Sequence, residues 1–128
     1  MEIRNLIGGT ANICGPDVTV AEAARTMVSE GIGSIGVVES GALEGIFTER
    51  DVVRALADGA DPYESTVSLW MTPDPDMLSP EVDVDDAAEW LLATGYRHLP
   101  VVENGSLIGI VSIKDVLWAL RDPDRRGG

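Results

Sequence analysis

Two segments of the chain, Gly45–Asp51 and Gly109–Asp115, carry residue types that suit binding of a phosphorylated ligand. Each has a hydroxyl residue, a basic residue and an aspartate in the same order: Thr48, Arg50 and Asp51 in one, Ser112, Lys114 and Asp115 in the other. If a helix begins just after the hydroxyl, its free N–H groups attract an anion, while the carboxylate can accept hydrogen bonds from a ribose diol. The same spacing is typical of N-capping boxes, which only stabilise the helix. The residues alone leave both interpretations open.

Residues for nucleophilic or metal chemistry are sparse. Cys14 and His98 are the only cysteine and histidine, and no carboxylate is obviously spaced to orient the histidine. The acidic stretch at 74–86 lacks the glycine and the terminal glutamate of a calcium-binding loop. We therefore expect no catalytic residue, no metal site and no cofactor.

The charge composition argues against nucleic acid as a partner. The chain has 22 acidic and nine basic residues, a formal net charge of −13, so DNA would be repelled. No stretch of about 18 apolar residues is available to cross a membrane, and the first residues lack the pattern of a secretion signal. A single cysteine is consistent with a reducing compartment. We expect an acidic, cytoplasmic protein.

The elements that must position these residues are repeated. A shift of 64 residues aligns Val18–Leu56 with Val82–Leu120 without a gap, and sixteen of the 39 aligned pairs are identical. Such self-similarity is the signature of two copies of one structural unit. A unit of this size buries its apolar faces poorly alone. We therefore predict two repeats, residues 1–64 and 65–128, that together form one module.

Each repeat is predicted to fold as a helix, a hairpin and a second helix, after a short extended segment near Ile13 or Met77. The first helix has apolar residues at helical spacing: Val20, Ala23, Ala24, Met27 and Val28 in one copy, Val84, Ala87, Ala88, Leu91 and Leu92 in the other. The second helix carries Val52, Val53 and Leu56, or Val116, Leu117 and Leu120. Residues 57–75, rich in Gly, Pro, Asp and Ser, are predicted to form a connector.

Local signals mark where these elements begin and end. Thr19 and Asp83 are predicted N-caps, and Gly31 and Gly95 stand where the first helices stop. The two hairpin turns are predicted at positions that tolerate positive φ: Ser40-Gly41 and Asn104-Gly105.

Together, these features resemble the cystathionine-β-synthase (CBS) domain pair, also called a Bateman module. The resemblance covers nearly the whole chain and rests on GIGSIGVVESGALEGIFTERD, GYRHLPVVENGSLIGIVSIKD and the lead-in WMTPDPDMLSPEVDV. It implies an α/β (α+β) sandwich of tandem β-α-β-β-α repeats related by pseudo-two-fold symmetry. It also implies a regulatory module, not an enzyme, that binds AMP, ADP, ATP or S-adenosylmethionine in clefts between the repeats.

The resemblance assigns roles to individual residues. Thr48 and Asp51, like Ser112 and Asp115, match the family's ribose-binding hydroxyl and aspartate. Arg97 and His98 stand where the family often contacts phosphate, whereas the first copy has Gly33 and Ser34 there. Arg50 and Lys114 are the bases beside the aspartates. An apolar slot for adenine has four candidates, although core packing is the more frequent role for each: Val18, Ile46, Val82 and Ile110.

The symmetry of the family leads to one expectation about the two sites. The start of one hairpin should face the helix N-terminus of the other repeat, so Arg97 and His98 would meet Asp51. We therefore expect the Asp51 site to bind a phosphorylated adenosine more tightly than the Asp115 site. The alternative from another class is a ligand-free dimerisation or interaction scaffold in which these residues only cap helices.

Two tryptophans of the second copy predict a homodimer. Trp90 replaces Thr26 and Trp118 replaces Arg54, and both lie off the apolar stripes of their helices. Tryptophan on such a face is uncommon and is enriched at interface hot spots. CBS pairs also often associate through these helices. The regulated partner protein is not indicated by the sequence.

Overall fold

The computed structural model describes residues 1–8 and 11–121, so the end of the predicted second repeat lies outside the described residues. Its helices are a 3₁₀ helix Ile3–Leu6, then α1 Val20–Glu30, α2 Glu49–Ala57, α3 Val67–Trp70, α4 Val84–Thr94 and α5 Ile113–Arg121. Its strands are β1 Ile13–Cys14, β2 Ser34–Glu39, β3 Ala42–Thr48, β4 Thr72–Pro73, β5 His98–Glu103 and β6 Ser106–Ser112. The mixed α and β content predicted from the sequence is confirmed.

The chain divides into two compact units. The first-repeat unit is Ala11–Pro75, and the second-repeat unit combines Met1–Thr10 with Asp76–Gly128. The repeat boundary between residues 64 and 65 describes internal sequence similarity, and it stays a prediction.

The first-repeat unit contains a four-stranded sheet in the order β1-β2-β3-β4. Strand β1 runs parallel to β2, while β2 with β3 and β3 with β4 are antiparallel. The buried face of α1 packs on this sheet because its apolar residues recur every three or four positions. The core consists of Val20, Ala23, Met27, Ile35, Val37, Phe47, Ala55 and Val67.

The second-repeat unit is built on the antiparallel hairpin β5-β6. The predicted extended segment near Met77 is present as a single parallel bridge from Leu78 to Val101. Each hairpin has a register shift at the same repeat position, between Val37 and Val38 and between Val101 and Val102. The core consists of Ile3, Leu78, Val84, Ala87, Leu91, Leu99, Val101, Val111, Val116 and Ala119.

The predicted helix and turn signals are confirmed. The Thr19 hydroxyl accepts a hydrogen bond from the Glu22 N–H, and the Asp83 side chain accepts one from Asp85. Both first helices end on a left-handed glycine, Gly31 or Gly95. Both residues of each hairpin turn have positive φ, as the turns require.

Parts of the predicted apolar stripes are wrong. Val28 and Leu92, at the ends of the first helices, are exposed, and so are Val53, Leu56 and Leu117 of the second helices. In α2 and α5 the small residues Ala55 and Ala119 are buried instead. Each helix packs only one face within its unit, so larger apolar residues on the other face remain at the surface.

A short segment precedes each aligned repeat: residues 3–7 precede Val18–Leu56, and residues 67–71 precede Val82–Leu120. Each of these segments packs on the other repeat and belongs to the same compact unit as that repeat. Ile3 donates its backbone N–H to the Val82 carbonyl at 2.8 Å, and at the equivalent place in the first repeat Val67 donates to Val18 at 2.8 Å. The expected connector at 57–75 is thus partly regular structure, containing α3 and β4. No helix among the described residues is long and apolar enough to cross a membrane.

Candidate functional site

The Thr48–Asp51 corner, residues 48–51, lies where β3 ends and α2 begins. The Asp51 Oδ2 atom accepts hydrogen bonds from the Thr48 backbone N–H at 2.9 Å and from the Thr48 hydroxyl at 3.2 Å. In return, the Asp51 N–H donates to Thr48 Oγ1 at 3.4 Å, which completes a reciprocal capping box. Asp51 is one of two buried polar residues among those the structure describes, with 4% of its surface exposed.

Two residues that were not predicted as site residues, Arg54 and Trp70, lie next to this corner. Arg54 donates from Nη1 to the Asp51 Oδ1 atom at 2.7 Å. Its guanidinium also lies 6.0 Å from the centre of the Trp70 ring, at the outer limit of a cation–π contact. The Trp70 indole N–H donates to the Ser65 hydroxyl at 2.9 Å, which orients the ring. The three-residue spacing of Asp51 and Arg54 on one helix was the signal for the ion pair.

The Ser112–Asp115 corner, residues 112–115, has the same backbone arrangement at the start of α5. The Ser112 N–H donates to Asp115 Oδ2 at 3.0 Å, and the Asp115 N–H donates to Ser112 Oγ at 3.1 Å. Here, however, Asp115 is exposed. Both corners are therefore genuine helix caps, but only the second presents its carboxylate to solvent.

Arg97 and His98 lie beside the corner of their own repeat. His98 stands directly opposite Ser112 in the β5-β6 hairpin, so the two side chains share a face of the hairpin. The Ile113 N–H donates to the Arg97 carbonyl at 2.8 Å, which ties the start of β5 to the first residue of α5. Arg97 and Lys114 are both exposed. The expected meeting of Arg97 and His98 with Asp51 stays a prediction.

The apolar candidates lie in or near the cores of their units. Val18 and Val82 are half-buried and pack against the two core clusters. Ile46 is buried, and Ile110 is half-buried opposite Pro100. These positions are suited to core packing. Contact of these residues with an adenine stays a prediction.

The groups at the two corners are suited to binding a polar ligand. Burial, together with the Glu22 carboxylate, raises the pKa of the Cys14 thiol, which disfavours the nucleophilic thiolate. Within residues 1–8 and 11–121, no three His, Cys, Asp or Glu side chains are grouped so as to hold a metal ion. What the corners offer is hydroxyls, carboxylates and helix N-terminal N–H groups, which are groups for recognising a polar ligand.

Comparison with known proteins extends over most of the chain. A family profile, the CBS domain, matches residues 5–58 and again residues 66–122. An uncharacterised 17.7 kDa protein of Acidianus ambivalens is 44% identical over 109 residues. That match covers 84% of this chain and 65% of the Acidianus protein, so the chain spans about two thirds of that relative's length.

Solved structures have the same fold. The CBS-domain containing protein ATU1752 from Agrobacterium tumefaciens is 38% identical with a TM-score of 0.87, covering 94% of this chain and 99% of that one. The CBS domain protein PAE2072 from Pyrobaculum aerophilum, solved in complex with AMP, is 23% identical with a TM-score of 0.83, covering 94% and 98%. The two profile matches coincide with the two repeats of helix, hairpin and helix. The chain therefore belongs to the CBS domain family and carries a tandem pair of these domains.

Proposed function

We propose that this chain is a regulatory module that binds an adenosine-containing ligand: AMP, ADP, ATP or S-adenosylmethionine. The observation that carries the proposal is the exposed Asp115 carboxylate at the N-terminus of α5. A carboxylate there can accept hydrogen bonds from both hydroxyls of a ribose, while the free N–H groups of the first helical turn attract phosphate. The AMP complex of the Pyrobaculum protein supports an adenosine ligand.

The charges around this corner favour a phosphate group. The chain has nine basic residues against 22 acidic ones, so two cations close together differ from the mostly negative charge of the protein. Arg97 and Lys114 are such a pair. The backbone hydrogen bond from the Ile113 N–H to the Arg97 carbonyl brings the start of β5 next to the start of α5, and these two segments carry the two cations. Opposite charges close to an anionic ligand increase both its affinity and its rate of association. His98, on the same face as Ser112, is a further candidate contact.

A thermal shift assay tests this function. Ligand at 100 times its dissociation constant should add about 2.7 kcal/mol to the free energy of unfolding. We would compare AMP, ADP, ATP, NAD and S-adenosylmethionine with GMP, which keeps the ribose and phosphate and changes only the base. A rise in melting temperature with an adenosine compound that exceeds the rise with GMP is the expected result. If no adenosine compound changes the melting temperature, the proposal is wrong.

The second candidate is a ligand-free dimerisation scaffold, and the capping geometry favours it. The Thr48–Asp51 corner uses its hydroxyl and its carboxylate within the chain. A dimer in solution that responds to none of the nucleotides would identify this function. In either case we expect the module to regulate a partner protein.

We also propose that the chain forms a homodimer through the helices of the second repeat. Trp90 and Trp118 are 45% and 53% exposed, as expected for residues off the apolar stripes. Leu92 and Leu117, on the same two helices, are exposed as well. Burying such residues against a second copy would remove apolar area from water. The net charge of −13 disfavours DNA as an alternative partner.

A further inference from the structure

The two corners share one motif but differ in how many hydrogen-bond acceptor positions of the aspartate are already occupied. At Asp51, Oδ1 is bonded to Arg54, and Oδ2 accepts two hydrogen bonds from Thr48. A carboxylate offers about four acceptor positions, so one is left. A ribose diol bound in a bidentate manner needs two. Asp51 therefore has too few acceptor positions for such a diol.

At the other corner, most of the acceptor positions of Asp115 are unoccupied by the described residues. Asp115 accepts one bond, from the Ser112 N–H to Oδ2, and among the described residues no donor bonds its Oδ1 atom. About three of its four acceptor positions are free. Solvent access follows the same order, because the Asp51 side chain is 6% exposed whereas Asp115 is exposed.

One difference between the repeats accounts for this contrast. Arg54 follows Asp51 by three positions on α2, and the residue at its place on α5 is Trp118. Tryptophan has no positive charge to pair with the aspartate. The Trp70 ring lies 6.0 Å from the Arg54 guanidinium, whereas the equivalent residue of the second-repeat unit is Leu6. The first repeat thus has the cation and an aromatic ring 6.0 Å from it, whereas the second has Trp118 and Leu6 at these two places.

We infer that Arg54 closes the Thr48–Asp51 corner to ribose, so that the module takes one adenosine ligand, at Asp115. This inference rests on the proposed function and reverses the order of affinities expected from the sequence. The expectation of a tighter Asp51 site depended on Arg97 and His98, which adjoin Ser112 within their own unit. In this arrangement, Arg54 is a specificity-determining residue because it occupies an acceptor position of Asp51 that a ribose hydroxyl would need.

Isothermal titration calorimetry with AMP tests the inference on the full chain. Wild type should bind one AMP. Asp115→Asn should weaken binding about ten-fold or more, since a lost bond to a charged acceptor is worth at least that factor. Arg54→Gln should raise the number of sites from one to two. The matched control is Arg25→Gln, which removes an exposed arginine of α1 in the same unit and should leave one site.

Each other outcome identifies what is wrong. Two sites in wild type, unchanged affinity in a folded Asp115→Asn, or a single site in Arg54→Gln would overturn the inference and leave the proposed function intact. Weaker AMP binding by Arg54→Gln would also overturn it, because the guanidinium would then be a phosphate ligand. Absence of binding by wild type and by Arg54→Gln, with all five adenosine compounds, would overturn the proposed function itself.

Discussion

Ile7 occupies the space beside Gly109, where a β-carbon would stand 2.7 Å from the Ile7 Cγ2 atom. The same relationship recurs 64 residues away, where a β-carbon on Gly45 would stand 2.5 Å from the Met71 sulfur. These glycines open the two motifs from which the candidate sites are built. They are small because the segment that precedes the other repeat passes directly over them.

Alanine at these glycines should destabilise the protein, and more strongly at Gly45. There the added β-carbon also meets the Thr72 backbone carbonyl at 2.8 Å, which is held by the pairing of β3 with β4. We expect Gly109→Ala to cost about 1–3 kcal/mol of unfolding free energy and Gly45→Ala more, measured by urea denaturation. In an Ile7→Ala background the cost of Gly109→Ala should fall, since the obstructing side chain is gone.

Gly8→Ala is the matched control for the glycine prediction. A β-carbon there has no neighbour within 4 Å, so the change should stay within about 0.5 kcal/mol. Equal costs at Gly8 and Gly109 would contradict the packing explanation.

The Thr48 hydroxyl should matter for stability whether or not a ligand binds. It accepts the Asp51 N–H and donates to the Asp51 carboxylate, so Thr48→Ala removes both interactions. We expect a loss of about 0.5–2 kcal/mol in chemical denaturation, with Thr48→Ser close to wild type. Thr66→Ala serves as the control, because the Thr66 hydroxyl caps no helix N–H and pairs instead with the exposed Ser68 hydroxyl at 3.0 Å. A loss at Thr66 as large as that at Thr48 would argue against the capping role.

Acid should weaken the second-repeat unit through Asp83. The Asp85 backbone N–H, and then the N-terminal ammonium, hold the pKa of this carboxyl below its ordinary value of 3.8. A lowered pKa in the folded state means that the stabilisation is complete above 3.8 and is lost as the pH falls through the lower, folded value. Asp83→Asn should therefore flatten the dependence of unfolding free energy on pH below about 4.

Asp17→Asn is the control for the acid prediction, since Asp17 is exposed and lies outside the helix caps. If Asp83→Asn and wild type lose stability in parallel over this range, Asp83 is not responsible for the acid sensitivity.

Replacing the exposed tryptophans by their first-repeat counterparts should dissociate the proposed dimer. The double variant Trp90→Thr with Trp118→Arg removes two large apolar side chains that the fold does not bury. We expect it to keep the wild-type circular dichroism spectrum and to shift the mass in light scattering from dimer to monomer. Tyr63→Thr, which removes an exposed aromatic outside these helices, should leave the dimer intact. A monomeric wild type, or a double variant that is still fully dimeric, would refute the assignment.

The sequence by itself determined the features that depend on neighbours in the chain. The 64-residue repeat, the N-caps at Thr19 and Asp83 and the hairpin turn at Asn104-Gly105 were all predicted correctly. Caps and turns are set by the conformational preferences of a few consecutive residues, so a single sequence carries that information. The motif at each helix N-terminus was visible for the same reason.

Only the tertiary structure decided which segments pack together and which aspartate remains available. Ile3 belongs with Val82, a residue far along the chain, because the segment before each repeat completes the core of the other. Exposure of Val28 likewise depends on what covers a helix, which periodicity does not reveal. The ion pair of Asp51 with Arg54 has a local signal, but whether it leaves acceptor positions for a ligand depends on burial and on hydrogen-bond geometry in three dimensions.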